Sequence, residues 1–186
     1  KKGITSATLI AKEIKKQIFE TTQLTASAGI SINKFLAKSA SDIHKPNGIK
    51  LIPPDNVLKF LDQLPIEKFF GIGKVTAAKM IKMGIKNGND LRNRSEKELW
   101  KHFGKAGKHY YQIVRGNDTR AVNPDRERKS IGAENTFEND LIDQDEILNH
   151  LMKITETLHK RMTNSESTGR TITIKIKFSD FKQITR

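Results

Sequence analysis

Apolar residues in the first 53 positions recur at two different spacings. Leu9, Ile14 and Ile18 lie four or five residues apart with charged side chains between them, which is typical of an amphipathic helix. Short apolar runs bounded by turn-forming residues favour strands instead. The segment is predicted to contain, in order, a helix over 5–20, a strand over 25–30, a helix over 33–42 and a strand over 49–52. Two strands are too few for a stable sheet, so this segment is predicted to be part of a larger layered domain.

The next segment, residues 54–120, carries helical spacing and no strand spacing. Gly84, Gly88, Gly104 and Gly116 divide it into short pieces. Helices are predicted over 55–62, 65–69, 74–83, 88–92, 95–102 and 105–115. Residues 121–130 are polar and have the composition of a linker.

Residues 131–186 return to mixed spacing. Apolar and polar positions alternate without a break over 171–178, the period of a half-buried strand. Residues 143–162 carry one apolar face and predict a helix, while further strands are predicted over 130–137 and from Phe181 onward. This order predicts an incomplete α/β unit, and the whole chain is therefore predicted to be an α+β multi-domain fragment.

Charge is distributed unevenly along the 186 residues, which carry a net charge of +13. Residues 1–53 and 54–130 contribute +6 and +8, whereas residues 131–186 contribute −1. A basic surface in the first two thirds favours a polyanionic partner such as nucleic acid. The chain has no cysteine, which excludes disulfides and thiolate metal sites, and no apolar run of membrane-spanning length. We therefore expect a cytoplasmic protein with no membrane partner.

A glycine-rich turn between two predicted helices points to phosphate binding. The run Phe70-Gly71-Ile72-Gly73-Lys74 fits the turn of a helix-hairpin-helix, in which a new helix begins at about Lys74. The free N–H groups of that helix end, the helix dipole and the Lys74 charge would together bind a backbone phosphate without reading base sequence. A plain helical hairpin with a glycine turn is the alternative.

A second copy of this pattern follows thirty residues later. Its basic helix opens with Gly104, Lys105, Gly107 and Lys108. Two such hairpins packed together would follow one strand across the minor groove. The alternative is that Gly104 only terminates the preceding helix.

Other candidate chemistry in the sequence has simpler explanations. Lys74 and Asp90 could be assigned the lysine and aspartate roles of a DNA glycosylase, but Asp90 lies where a helix N-terminus accounts for it. The acidic cluster at 143–146 precedes a predicted helix and is expected to serve its N-terminus. The aromatic residues Trp100, Tyr110 and Tyr111 are expected to pack between helices rather than stack on bases.

One long block resembles a known family. The run 28–42, followed by Lys45-Pro46-Asn47-Gly48, closely resembles the Y-family translesion DNA polymerases. The segments 70–73, 128–132 and 177–181 match the same family in the same order, so the resemblance covers essentially the whole chain.

The resemblance implies a right-hand architecture. Residues 1–53 would be the C-terminal part of the palm, 54–120 an all-α helix-hairpin-helix thumb, 121–130 the tether and 131–186 the first part of an α/β little finger. The carboxylates that bind two Mg²⁺ ions in this family lie in motifs that these residues lack. We therefore predict no catalytic or metal-binding residue here, no Mg²⁺ bound to this chain and no polymerase activity from it alone.

The resemblance also implies contact residues and partners. Lys45, with help from Lys38, would contact the incoming dNTP, and Ile72 with its flanking glycines would hold the primer strand. The little-finger face would contact the DNA backbone along the major groove through Ser130, Lys175, Lys177, Thr185 and Arg186. The partners implied for the intact protein are primer–template DNA, dNTP and a sliding clamp, and its role is low-fidelity synthesis across DNA damage, in repair and replication. The alternatives are a free-standing helix-hairpin-helix DNA-binding module without catalysis and an RNA- or ribosome-associated basic protein.

Overall fold

The computed structural model describes Gly3 and residues 5–186. The chain forms two compact units, Lys1–Val122 and Asn123–Arg186. The division between them falls within the polar segment 121–130. No described helix combines the length and apolar character that crossing a membrane requires.

The first unit begins with a small α/β layer. Helix α1 spans Ala7–Thr22, strand β1 Ala28–Ile30, helix α2 Lys34–Ile43 and strand β2 Ile49–Leu51. Strands β1 and β2 pair in parallel, with Ala28 opposite Ile49 and Ile30 opposite Leu51. A Cβ at Gly29 would lie 1.9 Å from the Ala37 carbonyl oxygen, so only glycine lets β1 approach α2 this closely. All four predicted elements are present, although both strands are shorter than predicted.

A run of short helices completes the first unit, close to the predicted positions. They are α3 Val57–Gln63, α4 Lys74–Lys82, α5 Gly88–Arg92, α6 Glu96–Phe103 and α7 Lys105–Ile113, with 3-10 turns at Pro54–Asn56 and Ile66–Lys68. The predicted helix over 65–69 is thus a 3-10 turn.

The α/β layer and the short helices share one hydrophobic core. Phe35 of α2 and Phe69, which precedes the glycine turn, are both buried, with ring centroids 5.8 Å apart. Tyr110 is buried and Tyr111 packs against the core, as predicted. Trp100 is 44% exposed and lies outside this core, so the prediction that it packs between helices was wrong. It lies on the solvent side of α6, where Leu99 takes the buried position.

Residues 116–121, which we call the strap, return from α7 to the start of α2. The Asn33 amide donates to the Gly116 carbonyl at 2.8 Å, and the Phe35 N–H donates to Asp118 Oδ2 at 3.0 Å. Lys34 Nζ donates to the Ala121 carbonyl at 3.1 Å. Asp118 thereby supplies a partner for one free N–H at the start of α2, which Asn33 also caps by accepting the Leu36 N–H, and the other two bonds fasten the strap to this helix end.

The second unit contains one long helix and one hairpin. Helix α8 spans Gln144–Asn164, and Asp143 caps it by accepting the Glu146 N–H at 2.8 Å, as predicted for this acidic cluster. Strands β3 (Lys175–Lys177) and β4 (Gln183–Thr185) pair antiparallel, with Ile176 opposite Ile184.

The second unit contains fewer and shorter strands than the sequence predicts. Residues 130–137 form no strand, because they find no pairing partner within the described chain. The alternating run 171–178 is strand only over β3, and the next strand begins at Gln183 because Phe181 occupies the turn with φ 64°.

Candidate nucleic-acid and phosphate-binding surface

The first hairpin turn is built around two glycines and one buried isoleucine. Gly71 has φ +94°, a backbone conformation that favours glycine, and Gly73 is the residue from which α4 begins. Ile72 between them is only 7% exposed, and its N–H donates to the Phe69 carbonyl at 3.0 Å. The buried Ile72 side chain therefore anchors the turn while both glycines remain at the surface.

The N-terminus of α4 is open to a ligand. Among the described residues no side chain caps it, and a Cβ at Gly73 would meet nothing within 4 Å. A concavity of about 340 Å³ lies against this turn, lined by Glu67, Ile72, Gly73, Lys74, Ala77, Ala78 and Ile81. The first N–H groups of a helix lack partners within it and carry the positive end of its dipole, so this end can bind a phosphate.

The two lysines near the first hairpin differ in whether their ammonium groups are available to bind a phosphate. Lys79 Nζ donates to the His102 carbonyl at 2.6 Å and lies 4.8 Å from the centroid of the Phe103 ring. Lys79 therefore ties α4 to the end of α6. Lys74 is exposed at the first position of α4, which leaves it as the cation beside the open helix end.

The second hairpin is formed differently from the first. Gly104 has φ 58°, and its N–H donates to the Trp100 carbonyl at 2.8 Å, so it terminates α6 as well as preceding α7. Gly107 is buried, and a Cβ there would lie 2.0 Å from the Leu99 carbonyl oxygen. It therefore allows α6 and α7 to pack closely, and its predicted contact with DNA stays a prediction.

The cations of the second hairpin lie on its solvent side. Lys108 Nζ is 4.7 Å from the centroid of the exposed Trp100 ring. Lys105 is exposed at the first position of α7. Of the four predicted contacts, Lys105 and Lys108 are thus exposed, Gly104 is half-buried and Gly107 is buried.

The two lysines predicted to contact the triphosphate meet at one carboxylate. Lys45 Nζ lies 2.5 Å from Asp42 Oδ1, and Lys38 Nζ lies 3.2 Å from the same oxygen and 3.1 Å from Oδ2. The pKa of Asp42 is lowered, first by the hydrogen bond from Lys45 and then by that from Lys38, against the opposing effect of partial burial. Asp42 is therefore ionised at neutral pH.

The turn that carries Lys45 is held in place from α1. Lys15 Nζ contacts the Asn47 carbonyl, donates to Asn47 Oδ1 at 2.9 Å and reaches the Gly48 carbonyl at 3.4 Å. Asn47 has φ 57°, and a Cβ at Gly48 would collide with the His44 carbonyl at 1.9 Å. The backbone of this turn is thus fixed by contacts that do not involve Lys45.

Residues predicted to contact DNA in the second unit lie partly on one face of the hairpin. Lys175, Lys177 and Thr185 share that face, because Lys175 is opposite Thr185 in the register. Lys175 pairs with Glu134, whose pKa that contact lowers, and Lys177 Nζ lies 4.5 Å from the Phe181 ring centroid.

Two further residues predicted to contact DNA lie off that hairpin face. Arg186 pairs through its backbone with Ile174, in bonds of 2.7 and 2.9 Å. Ser130 lies in an exposed segment without regular structure.

Acidic residues in the described part of the chain form no metal site. No group of three or more histidine, cysteine, aspartate or glutamate side chains that could hold an ion occurs among the described residues. Asp90 serves the start of α5, since its carboxylate accepts the Lys86 N–H and its own N–H donates to Asn87 Oδ1, each at 2.9 Å.

Sequence reasoning missed Lys15 and Asp118 as residues that position this surface. The Asp118 side chain is 1% exposed and is paired with Arg120, whose Nε lies 2.6 Å from Oδ1. The hydrogen bond from Arg120 lowers the pKa of Asp118 to about 2, despite the opposing effect of burial. The contacts of Lys15 with Asn47 and of Asp118 with Phe35 join residues 32 and 83 positions apart, so no local pattern could have revealed them.

Comparison with known proteins finds matches to one family in three segments of the chain. Residues 2–42 match the impB/mucB/samB family, residues 54–85 the IMS family HHH motif, and residues 128–186 the impB/mucB/samB family C-terminal domain. The chain belongs to the impB/mucB/samB family. The α4 hairpin lies within the HHH motif, and α8 with both strands of the second sheet lies within the C-terminal domain.

Relatives within this family are similar over the whole chain. DNA polymerase IV of Leptospira interrogans is 50% identical over 186 residues, covering 100% of this chain and 51% of the relative. DNA polymerase IV of Clostridioides difficile is 51% identical over 187 residues, with the same coverage of each chain. The chain therefore spans about half the length of the curated relatives it matches.

A solved structure supports the same relationship. A Y-family DNA polymerase chimera matches with a TM-score of 0.75 and 29% identity, over 96% of this chain and 51% of the chimera. The predicted resemblance to the Y-family polymerases is confirmed, and so is the predicted α+β fold class.

Proposed function

We propose that this chain is the DNA-holding and triphosphate-contacting part of a translesion DNA polymerase, which in its intact form extends a primer on damaged template DNA. The observation that carries the proposal is the open N-terminus of α4 beside Lys74, inside the segment that matches the HHH motif. The names of the relatives, DNA polymerase IV, support the polymerase part of the proposal.

Each part of the chain has a distinct role in this proposal. Residues 1–53 are a palm segment whose Lys45 and Lys38 contact the incoming dNTP. Residues 54–120 are the thumb, whose two hairpins bind backbone phosphates of primer–template DNA. After the tether at 121–130, the hairpin face of the little finger at 131–186 contacts the major-groove backbone. A sliding clamp as partner of the intact protein stays a prediction.

Mg²⁺ would act in the intact enzyme through carboxylates that these 186 residues do not supply. The described residues contain no group suited to hold the ion, and Asp42, the acidic residue nearest the predicted nucleotide contacts, is occupied by two lysines. We therefore expect this chain alone to incorporate no labelled nucleotide. If the pure chain incorporates labelled nucleotide and EDTA abolishes that incorporation, this expectation is contradicted.

Fluorescence anisotropy of labelled DNA tests the proposed function. The chain would be titrated against a primer–template junction, a plain duplex and a single strand at several salt concentrations. We expect tighter binding to the two probes that contain duplex, with affinity falling steeply as salt rises, because phosphate contacts release counterions. Equal or tighter binding to the single strand, or no binding near physiological salt, would overturn the proposal.

A further inference from the structure

A carboxylate occupies the position between the two lysines assigned to the triphosphate. The ammonium groups of Lys45 and Lys38 lie 2.5 and 3.2 Å from the same oxygen of Asp42. The side chains of Lys38, Lys45 and Asp42 are 43%, 57% and 37% exposed, so a ligand from solvent can reach all three. The cluster therefore combines an accessible cation pair with an internal anion.

The backbone positions of both lysines are fixed without Asp42. Lys38 lies on α2, whose N-terminus is capped by Asn33 and fastened by the strap. The turn carrying Lys45 is held by Lys15 of α1. Removing the Asp42 charge would thus release both ammonium groups from the carboxylate without releasing the segments that carry them, and Lys38 would keep its position 5.6 Å from the centroid of the Phe70 ring.

We propose that Asp42 is an internal substitute for a phosphate group, so that a polyphosphate binds Lys38 and Lys45 only by displacing its carboxylate. This inference rests on the proposed function, because it takes those two lysines to be the triphosphate contacts. Asp42 then sets the affinity of the site, by keeping it weaker than the cation pair alone would make it.

Simple electrostatics gives the sign of the effect. With Asp42 ionised, the cluster carries one net positive charge, and the incoming anion must break two charge-assisted hydrogen bonds. The remaining carboxylate also repels the phosphate oxygens that replace it. Without the carboxylate the same cluster carries two positive charges, so a polyanion binds more tightly and with a steeper dependence on salt.

Isothermal titration calorimetry with inorganic tripolyphosphate tests the inference on the whole chain. In low salt, Asp42→Asn is expected to tighten binding about threefold to tenfold. Glu20→Gln, which removes a carboxylate that pairs with Lys16 on α1, changes the net charge equally and is the matched control, with binding unchanged. Asp42→Glu restores the carboxylate and is expected to restore binding to within about twofold of the unmodified chain.

Lys45→Ala separates this inference from the proposed function. If Lys45→Ala weakens binding but Asp42→Asn leaves it equal or weaker, Asp42 positions the lysines, and only the inference is overturned. If Lys45→Ala binds as tightly as the unmodified chain, the proposed triphosphate role of Lys45 fails, and the inference fails with it. Absence of binding by both the unmodified chain and Asp42→Asn overturns both.

Discussion

The two compact units differ in how far their apolar side chains are buried. In Lys1–Val122, side chains such as Leu61, Leu99 and Ile113 are fully buried in one core. In Asn123–Arg186, all of which is described, no residue is buried, and Leu148 and Ile176 are 48% and 46% exposed. Both units carry amphipathic patterns of similar clarity, so such a pattern predicts an element without predicting that its apolar face is covered.

Local interactions, rather than a buried core, stabilise the helix and the hairpin of the second unit. The Asp143 cap begins α8, and paired backbone groups hold β3 against β4. Caps and ladder bonds contribute about 1 kcal/mol each, whereas a fully buried leucine contributes about 2 kcal/mol or more. We therefore expect the first unit to be the more stable of the two.

Truncating one leucine in each unit gives the largest expected contrast. Leu61→Ala should cost about 3 kcal/mol, since Leu61 is fully buried, whereas Leu148→Ala should cost about 0.5 kcal/mol. Urea unfolding monitored by the single tryptophan, Trp100, reports on the first unit, whereas far-UV circular dichroism reports on the helices of both units, so the part of its signal that does not follow the tryptophan belongs to α8. Equal costs at the two positions would remove the distinction between the units.

A pair of glycines provides the next contrast. Gly107→Ala should destabilise the first unit by about 2 kcal/mol, because the new Cβ would lie 2.0 Å from the Leu99 carbonyl oxygen. Gly132→Ala in the second unit meets nothing within 4 Å and should change stability little. Thermal unfolding of both variants measures the difference. A neutral Gly107→Ala would show that α6 and α7 can separate without cost.

Acid sensitivity should reside in the first unit through Asp118. Its folded-state pKa of about 2 lies below the usual aspartate value of about 3.9, so the ionised form stabilises the fold above about pH 4. That contribution, about 2 kcal/mol, is lost as pH falls through about 2. Asp118→Asn should therefore be less stable at pH 6 and should approach the unmodified chain near pH 2. Urea midpoints across that range test it, and a difference independent of pH would contradict it.

The smallest expected effect concerns DNA affinity. Lys74→Ala should weaken binding about threefold on every DNA sequence and lower the salt slope by about 1, as expected for one phosphate contact. Lys177→Ala in the second unit should have a smaller effect, because its ammonium group already lies over the Phe181 ring. Anisotropy titrations on two unrelated duplexes compare them. An effect of Lys74→Ala on one duplex only would rule out backbone binding.

Sequence reasoning succeeded where one element determines its own structure. The helix predicted over 74–83 is α4, and the glycines that precede it form the predicted turn, because spacing and backbone freedom are local properties. It failed where a partner decides the outcome. Residues 130–137 lack a strand to pair with in the described chain, and Leu99 rather than Trp100 takes the buried position on α6.

The contacts within the candidate site could not be predicted from the sequence. The sequence predicts Lys38 and Lys45 as nucleotide contacts but not the carboxylate that they share. Nothing in the sequence distinguishes Asp42 from an ordinary surface aspartate at a helix end. Lys15 acts across 32 residues and Asp118 across 83, and no spacing rule links such pairs. Long-range contacts of this kind become visible only once the chain is folded.

The strap has a consequence for the kinetics of folding. Its hydrogen bonds join Asn33 and Phe35 to residues 83 positions later in the chain, and most of the helices of the first unit lie between them. Closing so long a loop is entropically unfavourable until those helices have shortened the path between its ends. We therefore expect the strap to dock after the transition state, so that Asp118→Asn accelerates unfolding while leaving the refolding rate nearly unchanged.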